Sequence, residues 1–182
     1  MKKLIIILTA VLTVSFTACA EQTDSASQSP SGNNSSMTGD LGAFPIAFSA
    51  KDLYDNDVTE ASLGEKEIFF VHYWATWCGP CVTEMPDIAE VAEKYGDRVG
   101  FLGLLDDYSD NRQGAVNIKE SSGVNFITVD ANTQGLEGVL AMLRTGYVPT
   151  TVILDRNCDM IGEAIIGAHG AGYAQFLDAA LD

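Results

Sequence analysis

The chain has 182 residues, which is enough for one domain of ordinary size with a proper hydrophobic core. Its formal net charge is −15 at pH 7 and it carries no basic cluster, so nucleic acid and anionic lipid headgroups are poor partners. Outside Cys19, three cysteines and the two histidines are scattered along the chain, which argues against both a disulfide scaffold and a closed structural zinc site.

Residues 1–18 predict a secretory signal peptide, because two lysines precede an apolar run that is too short for a membrane span and ends in small residues. Phe16-Thr17-Ala18-Cys19 resembles a bacterial lipobox, in which Cys19 would carry lipid and anchor the protein to the membrane. Ala18-Cys19-Ala20 also fits an A-x-A cleavage site, which would release a soluble secreted or periplasmic protein. We favour the lipoprotein because the next segment has the composition of a tether.

That tether is the predicted linker, residues 19–41. It is rich in Ser, Asn, Gly and Gln and lacks aromatic and β-branched apolar residues. Such a segment cannot bury enough apolar surface to offset the entropy of ordering it, so we expect a flexible linker. The folded domain is predicted to span residues 42–182.

Within that domain, hydrophobic patterning predicts alternating strands and helices. A glycine follows the first helix, as at many helix ends. The order of these elements predicts an α/β sandwich with a mixed central sheet. Strands are expected at 44–50, 67–74, 99–105, 126–129, 150–154 and 160–166, and helices at 82–95, 112–121, 136–143 and 173–181.

The segment FVHYWATWCGPCVTEMP, residues 70–86, places Cys78 and Cys81 where a predicted strand ends and a helix begins. Unpaired backbone N–H groups and the helix dipole stabilise a thiolate at that position. Pro80 suits the first turn, where its missing N–H costs nothing. The sequence therefore predicts an exposed Cys78 with a low pKa as nucleophile and a more buried Cys81 as resolving thiol. A structural disulfide and half of a zinc site are the alternatives.

TWCGPC after an aromatic-rich strand is the active-site signature of thioredoxins. The wider run YWATWCGPCVTEMP, together with FPIAFSAKDLYDNDVTEASL and GYVPTTVILD, resembles the TlpA/ResA-like branch of that superfamily, which is related to the AhpC/TSA group. The resemblance covers roughly residues 44–182. It implies a thioredoxin-like three-layer α/β/α sandwich and an extracytoplasmic, membrane-tethered thiol-disulfide oxidoreductase.

The resemblance also implies a client-binding site. Pro149, which follows Val148, matches the family's cis-proline beside the cysteines. A cis peptide bond there would leave backbone groups free to bind an extended client segment. Trp77, Gly79 and Pro80 would complete the site, with Trp77 as a partly exposed platform; the alternative for Trp77 is plain packing.

Two further residues are implied in proton transfer. Glu84 matches a glutamate typical of the TlpA/ResA branch, one helical turn from Cys81; its alternative is a solvated helix carboxylate. His72 stands where thioredoxins usually have a buried aspartate and TlpA-like proteins often an asparagine. There a neutral histidine, its pKa lowered by burial, could accept the Cys81 proton. The alternative is a core histidine whose hydrogen bonds are satisfied.

These features predict an enzyme that reduces client protein disulfides with no metal and no cofactor beyond the redox-active Cys78–Cys81 pair. The resemblance implies regeneration by a membrane electron donor of the CcdA/DsbD type. Three alternatives stay open. They are a disulfide donor of the same fold, a Sco-like copper-binding assembly factor, whose CxxxC spacing the chain lacks, and a thiol peroxidase, whose PxxxTxxC motif it also lacks.

Overall fold

The structure, a computed structural model, describes residues 42–182. The predicted signal peptide (1–18), the linker (19–41) and the lipidation site at Cys19 lie outside the described residues. Across residues 42–182, no helix combines the length and the apolar character needed to cross a bilayer.

The described residues form seven strands and four α-helices, with short 3-10 turns before β3 and before α4. In chain order the elements are β1 (Ser49–Lys51), β2 (Asp57–Thr59), β3 (Ile68–Trp74), α1 (Gly79–Tyr95), β4 (Val99–Leu105), α2 (Tyr108–Ser122), β5 (Ile127–Asp130), α3 (Glu137–Leu143), β6 (Thr150–Leu154), β7 (Ile165–Ile166) and α4 (Tyr173–Leu181).

The central sheet has the strand order β5-β4-β3-β6-β7. Strands β3, β4 and β5 run parallel, whereas β6 and β7 are antiparallel to their neighbours, so the sheet is mixed as predicted. Every residue of β3 and β4 is buried, which explains why these strands are apolar almost throughout instead of alternating. Strands β1 and β2 form a separate hairpin.

Side chains of β3 alternate between two hydrophobic clusters, one on each face of the sheet. Phe70 and Trp74 belong to the cluster that contains α1, part of α2, and α4. Phe69 and Val71 belong to the cluster that contains α3 and the segment before β1. This arrangement confirms the three-layer α/β/α sandwich. By the same alternation, His72 lies on the face that α1 and α4 cover.

Two expected strands are shorter than predicted. The strand expected at 44–50 is reduced to β1, and its partner β2 was not predicted. The strand expected at 160–166 is reduced to β7 and an isolated bridge from Met160 to Leu154. Gly162, with a φ of 76°, turns the chain out of the extended conformation between them. Helices α1 and α2 begin three and four residues earlier than expected, at Gly79 and Tyr108.

Candidate active site

Helix α1 begins at the cysteine pair. Cys78 is its N-cap residue, and the Cys78 Sγ accepts the Cys81 N–H at 3.2 Å. The two cysteines form a disulfide, with their Cα atoms 5.2 Å apart. Pro80 lies in the first turn, where its missing N–H leaves no hydrogen bond unmade. After reduction, a thiolate at Cys78 would therefore meet the unpaired N–H groups and the positive end of α1.

The two cysteines are both buried. Cys81 is completely buried, as expected, but Cys78 is only 3% exposed. The prediction of an exposed Cys78 is therefore wrong for the disulfide form. The Cys78 Sγ lies 3.6 Å from the carbonyl oxygen of Val148. The disulfide sulfur has no hydrogen to donate, so this is a packing contact, and only a Cys78 thiol could donate there.

The loop before β6 lies beside the cysteines. Its Val148–Pro149 peptide bond is cis, in agreement with the expectation. An open groove of about 380 Å³ runs next to this loop, with Trp77 and Tyr147 as exposed aromatic walls. Trp77 is 65% exposed and Tyr147 is 68% exposed, so Trp77 is not plain core packing. Tyr73, Asp106 and Arg144 also line the groove, and Tyr73 donates a hydrogen bond to Asp106.

Gly79 and Pro80 are both exposed on the surface next to the disulfide. A Cβ at position 79 would meet no atom within 4 Å, so the fold itself does not require glycine there. The structure thus brings the predicted client-site residues together around the disulfide. Tyr147, which sequence reasoning missed, belongs with them; its only signal was its place two residues before the proline.

His72 is completely buried in the middle of β3. Its Nδ1 lies 2.8 Å from the Oγ1 of Thr151, its partner in the register with β6. Its Nε2 has no hydrogen-bond partner and lies 3.6 Å from the Oε1 of Glu84. Burial lowers the pKa of His72 to about 3, so the imidazole is neutral at ordinary pH. Only one of the two ring nitrogens, Nδ1, has a hydrogen-bond partner. The alternative of a core histidine with satisfied hydrogen bonds thus holds for Nδ1 and not for Nε2.

Glu84 is buried on the inner face of α1, with 3% of its surface exposed, so the alternative of a solvated carboxylate is wrong. Its Oε2 accepts the backbone N–H groups of His169 at 2.8 Å and Gly170 at 3.2 Å. The Tyr173 hydroxyl lies 3.5 Å from its Oε1 and 3.4 Å from the carbonyl oxygen of Gly167, and its single hydrogen can be donated to one of these two acceptors. Burial raises the pKa of Glu84, although the two backbone donors act in the opposite direction.

Thr151 and Tyr173 were not predicted as part of the site. Both are completely buried, and the Thr151 hydroxyl donates to the Tyr173 Oη at 3.2 Å. The one signal for Thr151 was the pair of polar residues, Thr150 and Thr151, at the start of a buried strand directly after the proline. Tyr173 gave no signal, because an aromatic residue at the start of a terminal helix is usually a packing residue.

The residues described by the structure contain no group of three or more His, Cys, Asp or Glu side chains that could hold a metal ion. A disulfide at the start of a helix is an arrangement that can undergo thiol-disulfide exchange. His72 on β3 and Glu84 on α1, the two residues expected to act in proton transfer, lie on the two elements that flank this disulfide.

Comparison with known proteins supports this chemistry. The thioredoxin family model matches residues 46–150. The chain is 29% identical over 122 residues to the thiol-disulfide oxidoreductase ResA of Bacillus cereus, covering 66% of each chain. It is 34% identical over 53 residues to a thioredoxin-like protein of Synechocystis, covering 29% of this chain and 49% of that protein. The chain thus spans about half to two thirds of the length of these curated relatives.

Among solved structures, the fold is similar to that of a thiol:disulfide interchange protein from Chlorobium tepidum TLS. The TM-score is 0.60 at 22% sequence identity, over 78% of this chain and 97% of that chain. At this level of identity the likeness shows the fold, in agreement with the mixed sheet and three layers described above.

Proposed function

The chain belongs to the thioredoxin family, and from this premise we propose that it is a thiol-disulfide oxidoreductase that reduces disulfides in client proteins. The observation that carries the proposal is the Cys78–Cys81 disulfide at the N-terminus of α1, beside the Val148–Pro149 loop. A structural disulfide needs neither a helix N-terminus nor a neighbouring groove with exposed aromatic walls. A redox pair uses both, because it needs a stabilised thiolate and a client surface.

The reaction has two exchange steps. The Cys78 thiolate attacks one sulfur of a client disulfide, forming a mixed disulfide and releasing the other client sulfur as a thiolate. Cys81 then attacks the Cys78 Sγ, which forms the Cys78–Cys81 disulfide and releases the second client thiolate. The Cys81 thiol must lose its proton in this step, and His72 and Glu84 are the proposed acceptors. The client gains two electrons and the enzyme loses two.

The client segment is proposed to bind in extended form along Val148 and Pro149. The exposed aromatic walls at Trp77 and Tyr147 offer apolar area at low entropic cost, since an aromatic side chain has only two rotatable bonds. Gly79 and Pro80 are exposed on the surface next to Cys78 and are proposed to contact the client there.

Reduction is the proposed direction because the chain shares the CGPC loop of thioredoxin, a couple of low potential. The oxidised enzyme would then be regenerated by a membrane electron donor of the CcdA/DsbD type. The proposed location is extracytoplasmic, with a lipid anchor at Cys19. A relative named as a thiol-disulfide oxidoreductase supports the reaction type.

Trapping the mixed disulfide tests the proposal. The full chain carrying Cys81→Ala, expressed in its host, cannot complete the second step, so client proteins should accumulate on Cys78 as adducts that a reductant releases. The double variant Cys78→Ala, Cys81→Ala is the matched control, because it retains Cys158 and removes only the proposed nucleophile. If both variants give the same adducts, the proposed function is wrong.

The direction needs a second measurement. Alkylation of the wild-type chain in its host reports the fraction in the dithiol form. A chain held mainly as dithiol supports reduction of clients, whereas a chain held mainly as disulfide would make it a disulfide donor of the same fold.

A further inference from the structure

Helix α2 begins with a residue whose side chain does not cap it. Asp107 is the N-cap residue, and an aspartate there usually accepts a backbone N–H from the first turn of its own helix. The Asp107 side chain makes no such bond. Instead, its Oδ1 accepts the backbone N–H of Thr76 at 3.0 Å, and its Oδ2 accepts the Thr76 hydroxyl. The carboxylate therefore binds another segment of the chain and not its own helix.

The end of the first turn of α2 shows a second departure from regular helix. The backbone of Asn111 has φ −143° and ψ 40°, outside the helical range, and its Nδ2 donates to the Thr76 Oγ1 at 2.7 Å. A Cβ at Gly114 would lie 2.6 Å from the Asn111 Oδ1, so the asparagine side chain needs the space that glycine leaves. Because glycine destabilises a helix interior relative to alanine, this placement of Asn111 weakens α2.

Both departures have the same target, Thr76. Its N–H and its hydroxyl donate to one carboxylate, and its hydroxyl oxygen also accepts from Asn111. Hydrogen bonds to an ionised carboxylate are stronger than neutral ones. Natural chains give up local helix stability mainly at functional sites, and Thr76 is two residues before Cys78. The contacts of α2 with Thr76 therefore point to the active site.

Thr76 lies in the short segment that connects β3 to α1, residues 75–78. Trp77, an exposed wall of the groove, follows it directly, and the Cys78 N–H donates to the Ala75 carbonyl oxygen at 3.2 Å. In the disulfide form this segment is also held by the bond from Cys78 to Cys81. Reduction breaks that bond, so in the dithiol form the hydrogen bonds of Thr76 provide more of the restraint.

We propose that Asp107 is a positioning residue of the active site. Asp107 and Asn111 form a clamp, the α2 clamp, that holds Thr76 and thereby keeps Trp77 and Cys78 in place while the disulfide is open. Asp107 acts through Thr76, since both of its carboxylate oxygens bind that residue. The inference rests on the proposed function, because it assigns the restraint that keeps the Trp77 wall in place during exchange with a client.

Three variants separate the hydrogen bonds of Asp107 from its charge. Asp107→Ala removes both acceptor oxygens. Asp107→Asn removes the charge but keeps an acceptor for the Thr76 N–H, and its amide can donate to a lone pair of the Thr76 hydroxyl oxygen. Asp110→Ala is the matched control, because it removes the same charge from an exposed residue in the first turn of α2.

Amide hydrogen exchange on the full chain, in the dithiol and the disulfide form, tests the α2 clamp without a client. In the dithiol form, the Cys78 amide of Asp107→Ala should exchange about tenfold faster than that of wild type. The increase should be smaller in the disulfide form, where Cys81 still holds the segment. Asp107→Asn and Asp110→Ala should exchange like wild type.

Two results of this measurement would overturn the proposal. One is a Cys78 amide that exchanges equally fast in wild type and in Asp107→Ala in the dithiol form. The other is an Asp107→Asn variant that exchanges as fast as Asp107→Ala, because the effect would then come from the charge and not from the hydrogen bonds.

Thr76 offers the same test if Asp107→Ala does not fold. Thr76→Val removes the hydroxyl that binds both residues of the α2 clamp, whereas Thr76→Ser keeps it. Faster exchange of the Cys78 amide in the valine variant alone would support the proposal. Equal exchange in the valine and serine variants would overturn it.

Turnover of a disulfide-containing client peptide tests the link to Trp77. Asp107→Ala should raise KM several-fold, whereas in a Trp77→Ala background the same substitution should leave KM nearly unchanged, since the wall is already absent. Fully additive effects of the two substitutions would overturn this link. The exchange measurement needs no client, so a failed trapping experiment with the expected amide exchange would count against the proposed function alone.

Discussion

His72 and Thr151 face each other across β3 and β6, and the His72 Nδ1 lies 2.8 Å from the Thr151 Oγ1. The antiparallel register pairs the two residues, and both side chains lie on the sheet face that α1 and α4 cover. The histidine on β3 therefore has a fixed partner on the strand that follows the Val148–Pro149 loop. This contact connects the cysteine side of the site to the loop side.

Replacing Thr151 tests that contact. Thr151→Val keeps the shape but leaves the buried Nδ1 without a partner, so we expect a loss of about 1–3 kcal/mol in the free energy of unfolding. Thr151→Ser keeps the hydroxyl and should lose about 0.8 kcal/mol, the contribution of one buried methyl group. Denaturant unfolding of both variants measures the difference. A valine variant at least as stable as the serine variant would contradict the contact.

Glu84 anchors the loop before α4, and two substitutions separate this role from its acid chemistry. Glu84→Ala removes the acceptor of two backbone N–H groups, at a cost of about 1–3 kcal/mol for each buried group left unpaired. The amides of His169 and Gly170 should then exchange hydrogen faster. Glu84→Gln keeps an acceptor oxygen and should leave those amides protected, although it removes the proposed proton acceptor. Equal exchange in both variants would argue against the anchor.

The stability of the protein should depend on His72 in acid. Its pKa is 6.5 when exposed and about 3 in the folded protein. Between pH 6.5 and pH 3, His72 is therefore protonated in the unfolded chain and neutral in the folded chain. Stability is thus lost as pH falls from 6.5 toward 3, by up to about 1.4 kcal/mol per pH unit.

His72→Asn is the comparison, because asparagine does not titrate and both proteins keep Glu84. Glu84 acts in the opposite sense, since burial raises its pKa and its contribution is lost as pH rises above 4.5. We expect the unfolding free energy of wild type to fall more steeply in acid than that of the variant. Parallel curves between pH 6.5 and pH 3 would show that His72 is not buried as a neutral group.

The aromatic walls of the groove should affect clients and not stability. Trp77→Ala and Tyr147→Ala change exposed side chains, so the free energy of unfolding should shift by no more than about 0.5 kcal/mol. The KM for a disulfide-containing client peptide should rise several-fold, with kcat changed less. Tyr54→Ala, an exposed aromatic residue on the β1–β2 hairpin, is the control and should leave KM unchanged. Identical KM values in all three variants would place the client elsewhere.

Much of the fold was predictable because its causes are local. The buried strands β3 and β4 are continuous apolar runs, and α1 follows from its apolar stripe and from the proline in its first turn. The prediction from sequence was least accurate for the strands at the edges of the sheets. Strands β2 and β7 are short and pair on one side only, so the sequence needs no strong pattern there.

The sequence by itself determined the chemistry of the site. Two cysteines at a strand-to-helix junction, with a proline between them, favour a redox pair over a structural disulfide or half of a zinc site, because the helix N-terminus that stabilises a thiolate is a local feature. Only the tertiary structure decided the burial of Cys78 and Glu84 and the partners of His72. Thr151, which contacts His72, is 79 residues away from it in the sequence. Tyr173, which contacts Glu84, is 89 residues away from that glutamate. They meet because of the β3–β6 register and the packing of α4, which no local pattern encodes.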